Sequence, residues 1–152
     1  GSMSSILFQE IREQRGWAYA VFSYPLYFKD CGLFTVYAGT SEKQVRQVVE
    51  KVMELLTGLH KNLTPEMLNT SREQLKGNLI LSLESTSNKM SWNGKNYFYY
   101  RKYMELDEVI RAIDRISMDD LLDILAYICN PDFFSLTAIG RFEKNCFDGV
   151  LS

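Results

Sequence analysis

The sequence predicts an α+β fold: an antiparallel sheet of about three strands with a run of helices packed on one face. The chain has 152 residues, 46% of them hydrophobic, which is enough to bury the core of one domain. Two strand-like segments come early and another comes late, while helical periodicity fills the middle. Strands and helices that are grouped in this way, without alternating, are typical of α+β proteins.

A short helix is predicted at the start of the chain. Ser4 or Ser5 can cap it, because a serine hydroxyl accepts a hydrogen bond from a free N–H group of the first turn. Gly16 supplies a stop, since glycine adopts the left-handed conformation that ends many helices. The apolar side chains between these points have the spacing of one buried stripe: Leu7, Phe8 and Ile11.

The next two segments predict an antiparallel hairpin. Ala18–Phe28 and Leu33–Gly39 are rich in aromatic and β-branched residues, and Lys29–Gly32 separates them. Pro25 has no N–H group to donate to a ladder. We therefore expect its part of the first strand to lie at an edge or a bulge.

Two helices with clear start signals follow the hairpin. Ser41 and Gln44 have the spacing of a capping box, and valines and leucines then recur at helical period as far as Gly58. Thr64 and Pro65 form a cap and first-turn pair that starts a second helix. The apolar face of that helix consists of Leu68, Leu75, Leu79 and Leu83.

Three further helices are predicted after a short polar run. Met90–Tyr103 has helical character and an aromatic-rich surface, and Leu106–Ile113 forms a shorter helix. Ser117 and Asp120 have capping-box spacing and start the last helix, Met118–Ile128.

A final strand and a tail complete the pattern. Pro131 follows Asn130 and forces a turn into a strand over Phe133–Ile139. Arg141–Ser152 has weak periodicity and is expected to be a tail or a terminal turn. Since no repeat, low-complexity tract or long linker divides the chain, residues 1–152 are predicted to form one domain.

Composition argues against several classes of partner. The net charge is −2, and no stripe of Lys or Arg marks a nucleic-acid or anionic membrane partner. No apolar run approaches the roughly 20 residues that cross a bilayer. The three cysteines, Cys31, Cys129 and Cys146, are too few and too widely spaced for a disulfide framework or a metal knuckle. We therefore expect a reduced, cytoplasmic compartment.

Several sequence blocks, in order, carry a family resemblance. The segment Met3–Val21 resembles the second, non-zinc domain of the insulinase and mitochondrial-processing-peptidase family (M16) of zinc metallopeptidases, in particular the bacterial processing-protease type. The later blocks fall in the family's order: Gly32–Phe34, Tyr37–Thr40, Glu73–Leu79, Ser82–Ser87, Asp107–Ile110 and Asn130-Pro131.

The resemblance implies one half of a clam-shaped, two-domain peptidase. In that family each half begins with further strand and helix elements upstream of the segment that opens this chain. We therefore expect a C-terminal fragment, or a shortened protein, that lacks its first strands. Its sheet would have an unpaired edge, through which a homodimer could form.

Arg12 and Tyr19 are the substrate-binding residues that the resemblance implies. The family has an Arg followed seven positions later by a Tyr, which is the spacing found here. A fixed guanidinium and a phenolic donor can stabilise the negative charge that collects on a peptide carbonyl oxygen during hydrolysis, or hold the peptide in register. The structural alternative is a solvated helix arginine and a core tyrosine.

The zinc motif of the family is missing from this chain. An H-x-x-E-H site needs two histidines, and His60 is the one histidine of the sequence. We therefore predict no metal ligands and no catalytic residues here, and interpret His60 as a solvated side chain. The resemblance places zinc on an N-terminal domain of the same protein or on a partner subunit, and this chain should be inert alone.

Two functions remain open at this stage. The first is the non-zinc half of a zinc endopeptidase, which closes the chamber and binds peptide. The second is a non-catalytic scaffold or partner subunit of the same fold. A dense aromatic group could also line a peptide groove, although core packing or chamber lining is the more ordinary role: Trp92, Tyr97, Phe98, Tyr99, Tyr100 and Tyr103.

Overall fold

The computed structural model describes residues 5–151, and these residues form two compact units. The first unit consists of the described residues up to Asn62 together with those from Ile124 onward, and the second is Leu63–Asp123. Ser4, the alternative cap of the first helix, and Ser152 at the end of the predicted tail lie outside the described residues. The prediction that residues 1–152 form one domain stays a prediction.

The first helix is wider than an α-helix. After one α-helical step at Ile6 and Leu7, Phe8–Glu13 forms a π-helix. The Trp17 N–H donates to the Ile11 carbonyl at 3.0 Å, which closes the end of the helix one residue wider than a Schellman motif. Gly16 has φ +62°, so it provides the predicted stop.

The hairpin is present, with strands β1 (Ala18–Tyr27) and β2 (Gly32–Thr40) paired antiparallel. The register runs from Ala18 opposite Thr40 to Tyr27 opposite Gly32. One bulge interrupts it between Ala18 and Ala20, which leaves Tyr19 as the extra residue of β1. A bulge of this kind twists a strand locally and re-aims a side chain.

The core of the first unit lies between the π-helix, the hairpin and helix α1 (Val45–Gly58). Ile11 and Val48 are its most completely buried side chains, at 0% and 2% exposure. The other buried members are Leu7, Ala18 and Val21, with partly buried Trp17, Val36, Ala38, Val52 and Leu55 around them.

The start of α1 departs from the predicted capping box. The Ser41 hydroxyl donates to the Gln44 side-chain oxygen at 2.8 Å and makes no cap bond to the helix backbone. Helix α1 also binds the C-terminal region of the chain: the Arg46 guanidinium donates to the Cys146 carbonyl at 2.9 Å.

The second unit contains helices α2 (Pro65–Ser82), α3 (Thr86–Tyr100) and α4 (Leu106–Arg115). The Thr64 hydroxyl accepts from the Met67 N–H at 3.2 Å, which confirms the predicted cap. Helix α3 begins before the predicted Met90 because Ser85 supplies an earlier cap.

An ion pair joins α2 to α4 within this unit. The Lys76 ammonium lies 2.7 Å from the Asp114 carboxylate and 2.7 Å from Glu73. The hydrogen bond that Lys76 donates to Asp114, followed by the one it donates to Glu73, raises the pKa of Lys76. The Asp114 carboxylate is about half exposed, so solvent screens the pair and it adds little to stability.

The last helix, α5 (Met118–Ile128), starts with the predicted capping box. The Asp120 N–H donates to the Ser117 hydroxyl at 3.1 Å, and the Ser117 N–H donates back to the Asp120 carboxylate at 2.8 Å. The Ser117 hydroxyl also donates to the Asp120 carboxylate at 2.6 Å, and this bond, followed by the one from the Ser117 N–H, lowers the pKa of Asp120.

The predicted third strand, Phe133–Ile139, is wrong for the described chain. Pro131–Phe133 forms a 3₁₀ turn, and residues 134–139 are extended without a ladder. Their burial still alternates as in a strand, with Phe134, Leu136 and Ala138 partly covered. A strand needs a hydrogen-bonded neighbour, and the sheet within residues 5–151 consists of the two hairpin strands. The α+β class is confirmed, with two paired strands in place of about three.

Candidate substrate-binding site

Arg12 lies on the π-helix, directly after the most buried side chain of the core, Ile11. Its guanidinium carbon is 4.9 Å from the centroid of the Phe8 ring, in a cation–π contact. Its carbonyl accepts the Gly16 N–H at 3.0 Å, so the backbone on both sides of the side chain is fixed. Across residues 5–151 the exposed guanidinium forms no ion pair, which leaves its N–H donors for an outside group.

Tyr19 lies on the bulge of β1, with 71% of the residue exposed. Its ring covers the backbone of Gly39 on the neighbouring strand. No hydrogen bond involves the Tyr19 hydroxyl within the described part of the chain. The predicted alternative of a core tyrosine does not describe this side chain.

The turn between the two residues is held by its neighbours. The Arg15 guanidinium lies 5.4 Å from the Trp17 ring and 2.7 Å from the Glu10 carboxylate. The Thr40 hydroxyl donates a short hydrogen bond to the Trp17 carbonyl. The Arg15 guanidinium is therefore occupied by contacts within the chain, whereas the Arg12 guanidinium can still bind an outside group.

Arg12 on the π-helix and Tyr19 on strand β1 are both exposed hydrogen-bond donors, on the two sides of the Gly16 turn. The described structure joins them by no hydrogen bond or ring contact, so their donor groups remain open to a third group. A guanidinium and a phenol can both donate to peptide carbonyl oxygens, and elements held by a core bring little entropic cost to that binding. Their assignment as substrate-binding residues stays a prediction.

No metal centre is found in the region that the structure covers. Within residues 5–151, no group of three or more His, Cys, Asp or Glu side chains could hold a metal ion. His60 lies exposed in a 3₁₀ turn, Leu59–Lys61. The residues present therefore do not fit a zinc ion, and no step of a mechanism can be assigned to one in this chain.

The aromatic group on α3 and the loop after it is largely exposed. Tyr97 and Tyr103 stack with their ring centroids 5.5 Å apart, and Phe98 meets the edge of Tyr99 at 5.3 Å. Phe98 is 70% exposed, so core packing is not its role within the second unit.

A shallow groove follows the extended segment of the first unit. It has a volume of about 670 Å³ and contains neither Arg12 nor Tyr19. Its walls include Leu136 and Ala138 from the extended segment, opposite Phe142, Phe147 and Leu151. The groove and the unpaired backbone lie side by side at this edge.

The model of the peptidase M16 inactive domain matches residues 1–75 of the chain. That range contains the π-helix, the hairpin and both predicted site residues. Curated bacterial relatives match 88% and 98% of the chain, so the likeness extends beyond the range of the family model. This chain belongs to the M16 peptidase family.

Curated relatives in this family come from several bacteria. The uncharacterized zinc protease YmxG of Bacillus subtilis is 41% identical over 134 residues, which are 88% of this chain and 33% of the relative. An uncharacterized zinc protease of Rickettsia felis is 34% identical over 149 residues, 98% of this chain and 35% of the relative. The chain spans about one third of the length of these two relatives.

A solved structure supports the M16 fold independently. A chain of Complex III2 from Candida albicans, with Inz-5 bound, superposes with a TM-score of 0.72. The superposition covers 82% of this chain and 30% of the other, at 18% sequence identity. At that identity the likeness shows the fold alone.

Two residues around Tyr19 matter to the site but carry little sequence signal. For Gly39 the signal is that an isolated glycine inside a strand indicates close approach of another group. Arg15 carried no signal, because its ion pair and its contact with Trp17 depend on the width of the π-helix.

No helix of the described residues is long and apolar enough to cross a membrane.

Proposed function

We propose that this chain is the non-zinc half of an M16 zinc endopeptidase, which closes the peptidase chamber and binds peptide substrate. The observation that carries the proposal is the pair Arg12 and Tyr19: both are exposed, both are anchored by the core, and they have the family's spacing. The names of the relatives, which are zinc proteases, agree with it.

Arg12 and Tyr19 bind the peptide backbone in this proposal. The guanidinium presents several donors in a planar fork, and the phenol adds one more, so together they suit two carbonyl oxygens or one oxygen that gains negative charge. Because a zinc ion held by the N-terminal domain or a partner subunit supplies the hydrolytic chemistry, this chain is inert alone. We also propose a cytoplasmic location, because three widely spaced cysteines suit a reducing compartment.

The extended, unpaired segment at residues 134–139 is the place where we propose that further chain joins this half. Its burial alternates as in a strand, and an edge strand gains hydrogen bonds when another strand pairs with it. We propose as its neighbour a zinc-binding domain in the two thirds of the relatives' length that this chain does not span. In isolation, an unpaired edge of the two-stranded sheet pairs with a second copy and gives a homodimer.

The test is peptide hydrolysis by the full-length protein carrying Arg12→Ala or Tyr19→Phe. Loss of one donor to a developing oxyanion lowers turnover about 10²-fold to 10³-fold, and we expect the Arg12 variant to approach that range. Matched controls are Arg111→Ala and Tyr27→Phe, which remove an exposed guanidinium and an exposed hydroxyl elsewhere.

Two results would contradict the proposal. If Arg12→Ala and Tyr19→Phe both hydrolyse peptide at the wild-type rate, the assignment of the two residues is wrong. If the wild-type protein with zinc bound hydrolyses no peptide, the chain belongs to a scaffold or partner subunit instead. Unchanged circular dichroism in both variants excludes misfolding as the cause of a lower rate.

A further inference from the structure

We infer that Gly39 is a positioning residue, which sets where the Tyr19 ring lies by leaving room for it. The inference rests on the proposed function, because it concerns how Tyr19 is presented to a peptide. Gly39 itself touches no substrate in this account, and it acts through the ring that covers it.

The two residues meet at the bulge of the hairpin. Gly39 pairs with Ala20, and Tyr19 is the unpaired residue that precedes Ala20. A Cβ atom built on Gly39 would lie 2.5 Å from Cζ of Tyr19 and 2.7 Å from both Cε2 and the hydroxyl oxygen. These distances are far inside a carbon–carbon contact of about 3.5 Å or more, so the ring occupies the space that any other residue would fill.

The atoms nearest to that Cβ position all belong to the end of one side chain. The three nearest contacts are ring and hydroxyl atoms of Tyr19, and no backbone atom is among them. Positive φ angles occur among the described glycines at Gly16, Gly140 and Gly149, but not at Gly39. Alanine therefore fits the backbone at position 39, and the ring must move to admit it.

The ring has space to move, so the displacement costs little folding energy. Tyr19 is 71% exposed, whereas Gly39 is buried beneath it. A Cβ at position 39 would shift the phenol away from β2 and carry the hydroxyl donor with it. Since a displacement of about 1 Å at a binding group costs as much as 10²-fold in rate, the shift affects turnover more than stability.

The experiment introduces Gly39→Ala into the full-length protein. Gly32→Ala is the matched control, because it makes the same change in the same strand and its Cβ would lie an ordinary 3.4 Å from the Leu26 carbonyl oxygen. We expect Gly39→Ala to lower kcat/KM for peptide hydrolysis about 10-fold to 100-fold with an unchanged unfolding midpoint. Gly32→Ala should change neither quantity.

A double-mutant cycle separates positioning from a purely structural role. In a Tyr19→Ala background the ring is gone, so adding Gly39→Ala should lower kcat/KM no further. A structural glycine would instead lower it by the same factor in both backgrounds. That additive result would overturn the inference.

A spectroscopic readout follows the ring without using activity. With 3-fluorotyrosine incorporated at position 19, the ¹⁹F resonance should move in Gly39→Ala and stay in place in Gly32→Ala. An unmoved resonance in Gly39→Ala overturns the inference, whatever the kinetics. If the resonance moves but Tyr19→Ala hydrolyses peptide normally, the proposed role of Tyr19 has failed, and a role for Gly39 in turnover fails with it.

Discussion

Replacing Ile11 by alanine should destabilise the first unit strongly. Ile11 is 0% exposed and packs in a cluster with Leu7, Ala18, Val21 and Val48. The substitution removes three buried carbon groups, which are worth about 0.8 kcal/mol each in transfer free energy. The cavity that remains adds to this loss, so we expect the free energy of unfolding to fall by about 3 kcal/mol.

Urea unfolding followed by far-UV circular dichroism measures this loss. The matched control is Ile139→Ala, the same change at a residue that is 98% exposed, where we expect a difference within about 0.5 kcal/mol. If the two variants lost equal stability, the core would not be organised around Ile11. The anchoring argument for Arg12, the next residue, would then fail as well.

Three further predictions concern caps, pH and cysteine reactivity. Thr64→Ala removes the cap of α2 and should cost about 1 kcal/mol in thermal unfolding, with Thr70→Ala as a control within the same helix. The hydrogen bonds to Ser117 lower the pKa of Asp120 below its ordinary value of 3.8. The Asp120 carboxylate therefore stabilises the fold fully above pH 3.8, and this stabilisation is lost as the pH falls through the lowered pKa. The stability difference between wild type and Asp120→Asn, measured across pH, should shrink in the same window and would contradict this account if it grew. Burial raises the pKa of the Cys129 thiol, so iodoacetamide should modify exposed Cys31 first, and mass spectrometry that found Cys129 modified first would contradict this.

Sequence predicts best the features that depend on neighbouring residues. Local signals predicted the Thr64 cap, the Ser117–Asp120 capping box and the hairpin, because each signal and its partner lie close together in the sequence. The π-helix was not, since an apolar stripe at Leu7 and Ile11 fits an α-helix equally well. The third strand was wrong for a related reason: alternation at residues 134–139 predicts a strand, but a ladder also needs a partner that a single segment cannot specify.

The candidate site, too, could be predicted only in part. Arg12 and Tyr19 were found through the family resemblance, and their exposure could not be known from residue type alone. Strict alternation from buried Val21 would place Tyr19 on the inward face, and the bulge between Ala18 and Ala20 breaks that alternation. The close approach of its ring to Gly39 depends on the register of two strands, which composition does not reveal.

We expect the extended segment at residues 134–139 to promote aggregation of the isolated chain at high concentration. It contains no charged residue and no proline, and within residues 5–151 no backbone hydrogen bond reaches residues 135–139. Short uncharged segments with free backbone groups are the starting points of cross-β aggregation. Ile139 is 98% exposed, so a lysine there would add a protective charge without disturbing any packed side chain.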